Sequence, residues 1–149
     1  MPEIPATQIR SFHLDAPVAR VFPLFTALGE KVWADGWEPE LLSGQEERGS
    51  VFRTVHGGRE TVWIVVDYRA GQGRVSYARL AQGSSMGLVD VQCSAASGGG
   101  TEVSVRYTLT GLNPQGQALV SEFLSPAHYS RMIAGWQAAI GKALASSQH

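Results

Sequence analysis

The sequence predicts an α+β domain: a curved antiparallel sheet of about six to seven strands wrapped around a long C-terminal helix, with a short helix pair after the first strand. Three observations carry this. Short apolar and β-branched runs fill residues 51–110 and are separated by Gly57-Gly58, Gly71-Gln72-Gly73, Gln82–Ser85 and Ser97–Gly100. Tyr129, Met132, Ile133, Trp136, Ile140, Ala143 and Leu144 recur at helical spacing, a stripe about 30 Å long. A one-sided helix of that length needs an apolar trough, and a curled sheet supplies one.

Residues 7–14 alternate Ile9, Ser11 and His13 against Arg10, Phe12 and Leu14, as a half-buried strand does. Asp15-Ala16-Pro17 then opens a helix, because a first-turn proline gives up no intrahelical hydrogen bond. Val18, Val21, Phe22, Phe25 and Leu28 follow at helical spacing, and Gly29 stops them. Pro23 lies inside this pattern, so the helix is expected to persist with a kink, at a cost of about 3 kcal/mol unless compensated. In the next segment Trp33 and Trp37 share one face if it is helical, and Pro39 ends it.

A weak strand is expected at 40–46, then strands at 51–56, 61–69, 74–80, 86–96 and 101–110, an antiparallel meander. In the last two, Val89, Val91, Cys93 and Ala95 must share a face with Val103, Val105, Tyr107 and Leu109. A three-residue turn over Gly98–Gly100 achieves this by pairing Ser97 with Thr101, Ala95 with Val103 and Val91 with Tyr107. Beyond it, Gln115–Leu124 forms an opening turn or two, and Ser125-Pro126 restarts the helix with a cap and an N1 proline.

Composition removes several function classes. A chain of 149 residues is the length of one domain, so a single domain over 1–149 is expected. Twelve basic residues against thirteen acidic ones, none clustered, speak against nucleic acid. No apolar run approaches the length of a membrane span, and Met1-Pro2-Glu3-Ile4-Pro5 lacks the layout of a signal peptide. The expected compartment is the cytoplasm. One cysteine excludes an internal disulfide framework. His13, His56, His128 and His149 fall at no metal-ligand spacing, so neither a metal nor a cofactor is expected.

No Gly-x-Ser-x-Gly elbow occurs, and Ser84-Ser85-Met86-Gly87 reads as a turn. Cys93 reads as a small buried hydrophobe without a basic neighbour. The glycine pairs lack the helix, Lys and Ser/Thr of a phosphate loop.

Taken in order, Ala16-Pro17 before Val21-Phe22 and Phe25, then Trp33, Trp37-x-Pro39, Phe52, Thr61-Val62-Trp63, Tyr77, Gly100-Thr101-x-Val103, Tyr107 and Trp136 resemble the START-like, or SRPBCC, helix-grip superfamily. The resemblance spans nearly the whole chain and is nearest to small bacterial members of the polyketide cyclase/dehydrase- and lipid-transport-like kind. Pro23 departs from the usual pattern. The resemblance implies a mostly apolar cavity between sheet and long helix, gated by the short second helix. It implies no single activity, since such domains carry lipids, bind hormone-like ligands, cyclise polyketides or act as co-chaperones.

On this reading the expected partner is a small, largely hydrophobic molecule, and the chain is compatible with a homodimer. The cyclase/aromatase and co-chaperone-like readings stand as alternatives. Candidate lining residues are the strand aromatics Phe52, Trp63, Tyr77 and Tyr107 and the helix residues Tyr129, Met132 and Trp136. Trp33 and Trp37 belong either to a lid or to the core. Arg53, His56 and Arg79 sit on strands that should line the cavity. An inward Tyr77 brings Arg79 to the cavity, where a guanidinium can hold a ligand carboxylate and a phenol can polarise a carbonyl. Otherwise Arg79 extends to solvent and the tyrosines are core. His56 is either an exposed loop residue or, turned inward, a proton carrier.

Overall fold

The computed structural model describes residues 5–146; the leader reading at residues 1–4 and His149 lie outside them. Seven strands form one antiparallel sheet in the order β1-β7-β6-β5-β4-β3-β2. They are β1 (Ala6–Leu14), β2 (Glu40–Ser43), β3 (Val51–His56), β4 (Arg59–Arg69), β5 (Arg74–Ala81), β6 (Ser85–Ala95) and β7 (Thr101–Gly111). Helix α1 (Val18–Val21) follows β1, and α2 (Pro114–Phe123) and α3 (Pro126–Ser146) close the chain. This is the expected α+β helix-grip architecture.

The meander β2–β7 has β1 beside its last strand, so the connection from β1 to β2 must cross from one sheet edge to the other. That connection departs most from expectation. The helix runs regularly only to Val21, tightens into a 3₁₀ turn over Phe22–Phe25, and ends with Thr26 extended at φ −84°, ψ 166°. Pro23 is the cause: it lacks an N–H, and the Thr26 hydroxyl takes its carbonyl at 2.8 Å, redirecting the chain. A second 3₁₀ turn, Gly29–Val32, packs so tightly that a Cβ on Gly29 would lie 1.8 Å from Pro23 O. The helix pair is present, but each member is short and largely 3₁₀.

Trp33 and Trp37 are therefore not related by helical spacing. Trp33 Nε1 donates to Leu24 O at 2.8 Å and Trp37 Nε1 to Ala27 O at 2.7 Å, so both indoles fasten to the preceding turn. Trp33 stacks edge-on against Phe25 and Trp136, while Trp37 meets Phe52 and Trp63.

Val89, Val91, Cys93, Val103, Val105, Tyr107 and Leu109 are buried on the inward face of β6 and β7 as expected, whereas Ala95, at the end of its strand, is exposed. The register differs by two residues: Ala95 pairs with Thr101, Cys93 with Val103 and Val89 with Tyr107. Ala96 N donates to Gly100 O at 3.1 Å, so the three-residue turn is Ser97–Gly99, one position earlier than expected. A two-residue offset leaves every side chain on its face, which is why alternation alone did not reveal it.

Asn113 caps α2 by accepting from Gly116 N at 2.8 Å, with Pro114 in the first turn. The α3 stripe packs onto the sheet through Tyr129, Ile133, Ile140 and Leu144. Tyr129 is fully buried, and its hydroxyl donates to Val105 O at 2.7 Å. No helix among the described residues is long and apolar enough to cross a membrane.

Candidate functional site

Pairing across the sheet aligns side chains in rows. Phe52 on β3 faces Trp63 on β4, which faces Arg79 on β5, then Gly87 on β6 and Leu109 on β7. One step along, Thr54, Thr61, Ala81 and Ser85 form a second row. Trp63, Arg79 and Leu109 of the first row and all four members of the second form the floor of a cavity of about 580 Å³. Val120 and Phe123 of α2 and Met132 of α3 roof it, and Ala34–Trp37 forms one flank. His56, Arg59, Asp35 and Glu122 stand exposed at its rim.

Six of the sequence candidates line this space: Trp37, His56, Trp63, Arg79, Tyr107 and Met132. Phe52, Tyr77, Tyr129, Trp33 and Trp136 do not; they form the aromatic packing behind the wall. Phe52 stacks on Trp63 with centroids 5.7 Å apart and planes 4° from parallel, and Tyr77 meets both rings edge-on. Such contacts hold the wall rings in fixed orientations, each worth about 0.5–1.5 kcal/mol beyond area burial. Tyr77 is inward, but its hydroxyl donates to Phe25 O at 2.7 Å. Arg53 lies on the opposite face of β3 from Phe52 and makes a bidentate pair with Glu40, Nε–Oε2 2.7 Å and Nη2–Oε1 3.1 Å. Strand alternation places it outside.

Arg79 is the unusual member. Its guanidinium carbon lies 5.3 Å from the Trp63 ring centroid, and its buried Nε has no hydrogen-bond partner. Burial depresses its affinity for a proton, and the nearby Tyr107 hydroxyl partly opposes that. The Tyr107 phenol is in turn pushed well above the ordinary tyrosine range, chiefly by burial. Both groups therefore enter the cavity as hydrogen-bond donors at neutral pH, one charged and one neutral. Trp63 Nε1 is satisfied by Thr54 Oγ1 at 3.1 Å.

Several wall residues were not among the sequence candidates for the site. Thr54 and Thr61 share their strands' alternation with Phe52 and Trp63, so parity would have found them. Phe123 ends the stretch read only as a helical lead-in, and His128 opens the long helix and was weighed only as a metal ligand. His128 Nδ1 donates to Phe123 O at 3.1 Å. Glu30, on the second 3₁₀ turn, carries a carboxyl that burial pushes up to about 8. It is close enough to raise the Tyr77 and Tyr107 phenols, yet it is not part of the cavity wall. Among the described residues, no group of three or more His, Cys, Asp or Glu side chains could hold a metal ion.

Fold and site together define a helix-grip domain enclosing a mainly apolar chamber. Over residues 8–145 the sequence matches the family described as polyketide cyclase/dehydrase and lipid transport, and the chain belongs to it. Solved structures share the fold at low identity. An uncharacterized protein from Rhizobium leguminosarum is 18% identical, with a TM-score of 0.70 over 93% of this chain and 95% of that one. Major latex-like protein 151 from Panax ginseng is 12% identical, with a TM-score of 0.68 over 94% and 97%. Norcoclaurine synthase from Thalictrum flavum is 10% identical, with a TM-score of 0.68 over 97% and 89%. No curated protein sequence matches this chain.

Proposed function

We propose that this protein binds a small, largely hydrophobic molecule in the chamber between the sheet and helices α2 and α3, and that this single domain carries it in the cytoplasm. The observation that supports this most is the chamber itself: about 580 Å³, walled by Trp37, Trp63, Leu109, Val120, Phe123 and Met132. That volume lies within the range of small-molecule sites, and burying apolar surface there contributes roughly 25 cal/mol per Å² without any catalytic group. Family membership supports the same reading, as does a fold shared with an enzyme, norcoclaurine synthase, solved with dopamine and hydroxybenzaldehyde.

Binding is favoured over cyclisation because of where the most perturbed acid lies. A cyclase wants a proton carrier in the wall, tuned toward neutral pH. Glu30, tuned in that direction, stands outside the wall, while His56 stands exposed at the rim and His128 spends its Nδ1 on Phe123 O.

Native mass spectrometry of the protein purified from its own host tests the proposal. A co-purifying hydrophobic molecule is expected, released on denaturation. A clean apoprotein that also ignores fatty acids, sterols and aromatic polyketides in titration would overturn it.

A further inference from the structure

We propose that the ligand class is a monocarboxylic acid with an apolar body, its carboxylate seated on Arg79 and Tyr107. This rests on the chamber being a ligand site.

Four observations converge. Arg53, Arg69 and Arg74 each have a carboxylate within salt-bridge distance, on or near the outer face. Arg79 has none among the described residues, although its Nε is buried. Arg79 as a whole is half-buried, but a donor shut off from water, as its Nε is, costs free energy unless something accepts from it. The aromatic face of Trp63 supplies part of that, but it accepts no hydrogen bond from the guanidinium edge.

The strand neighbour of Arg79 on the other side offers it no hydrogen-bonding side chain. Its partner on β6 is Gly87, which puts no side chain over the guanidinium, and any Cβ there would lie 1.9 Å from Thr108 O. Finally, Tyr77 and Tyr129 spend their hydroxyls on backbone carbonyls, whereas the Tyr107 hydroxyl has no partner among the described residues. A planar anion can take two N–H donors from the guanidinium fork and one O–H from the phenol. Arg59 lies exposed at the rim, so a compact dianion seated on Arg79 would leave one charge uncompensated there, and a neutral molecule would leave the Nε donor unpaired. One carboxylate balances the site.

The test compares decanoate, methyl decanoate and decanol, and 2-naphthoate with its methyl ester, by calorimetry below micellar concentrations. Quenching of Trp63 and Trp37 fluorescence is the second readout. Wild-type protein is expected to bind each acid about 30-fold more tightly than its ester, as suits charge-assisted hydrogen bonds. Arg79→Met brings the acid-to-ester ratio from about 30 to about 1, whatever it does to the affinity the two share. Arg79→Lys keeps part of the preference, and Tyr107→Phe lowers the acid-to-ester ratio by about 3- to 10-fold.

Equal affinity for acid and ester in the wild type overturns the assignment while leaving the chamber a ligand site. So does an Arg79→Met variant that keeps the wild-type preference for the acid. If neither body binds in any form, the chamber reading fails and this one with it. The acid–ester comparison on the wild-type chain decides the matter even where a variant fails to fold.

Discussion

The hydroxyl of Tyr77, on the central strand β5, donates to the carbonyl of Phe25 at 2.7 Å, joining the sheet to the 3₁₀ turn that follows Pro23. The two residues are 52 positions apart, so this bond anchors the strand-to-strand crossing rather than a local turn. Burial holds the phenol far above its ordinary range, which keeps it a donor throughout the accessible pH range. Tyr77→Phe keeps the ring packing against Phe52 and Trp63 but leaves the carbonyl without this partner. A loss of about 1–3 kcal/mol is expected in urea unfolding, and a variant as stable as wild type would remove the anchor from the account.

Glu30 makes stability depend on pH. Its carboxyl has no hydrogen-bond or ion-pair partner among the described residues, and burial raises it from 4.5 to about 8. Between those values the folded chain keeps a proton that the unfolded chain has released. Its contribution is thus fully present below about pH 4.5 and is lost as pH rises to about 8. The slope has a ceiling of about 1.4 kcal/mol per pH unit, reduced here because the residue is only half-buried. Glu30→Gln is expected to flatten the decline between pH 5 and 8 in paired urea melts. Parallel curves for the two proteins would exclude Glu30 as the source.

Cys93 lies inside the sheet's concave face at 2% exposure, and burial pushes its thiol up to about 12. The thiolate is the reactive form. The folded protein should therefore resist a thiol reagent at pH 8 and react at once in denaturant. Rapid stoichiometric labelling of the native state would contradict this burial.

Gly87 sets how closely β6 approaches β7. A methyl group there would press on Thr108 O and on Leu109, whose backbone cannot yield without opening the ladder. Gly87→Ala is expected to cost about 1–3 kcal/mol, as overpacking does. A neutral outcome in thermal melts would mean that the two strands have room to separate.

Much of the fold was legible because its signals are periodic. Alternation in β7 and the i, i+3, i+4 stripe of α3 each repeat enough times to outweigh local exceptions. Single-residue events were less readable. Pro23 announced a disturbance but not its extent, since whether a helix bends or ends depends on what else can take its carbonyls. Here the nearby Thr26 hydroxyl takes one, and the helix ends.

The site was half legible. Strand parity placed Tyr107 alone and left the facing of Trp63 and Arg79 open; all three face the chamber. Phe52 and Tyr77 point the same way yet stand behind other rings, which only three-dimensional stacking decides. Trp37 lines the wall while Trp33 turns to the core, because their indole N–H groups find different carbonyls.

The β6–β7 hairpin carries a consequence for how this chain can change length. Its turn, Ser97–Gly99, lies at an exposed tip, and both arms send every second residue to the core. Two residues gained or lost at the tip return the same side chains to the interior, whereas one turns an arm inside out unless a bulge absorbs it. Length variation among relatives of this domain should therefore fall on even numbers at this tip, and on odd numbers only where a bulge accompanies the change.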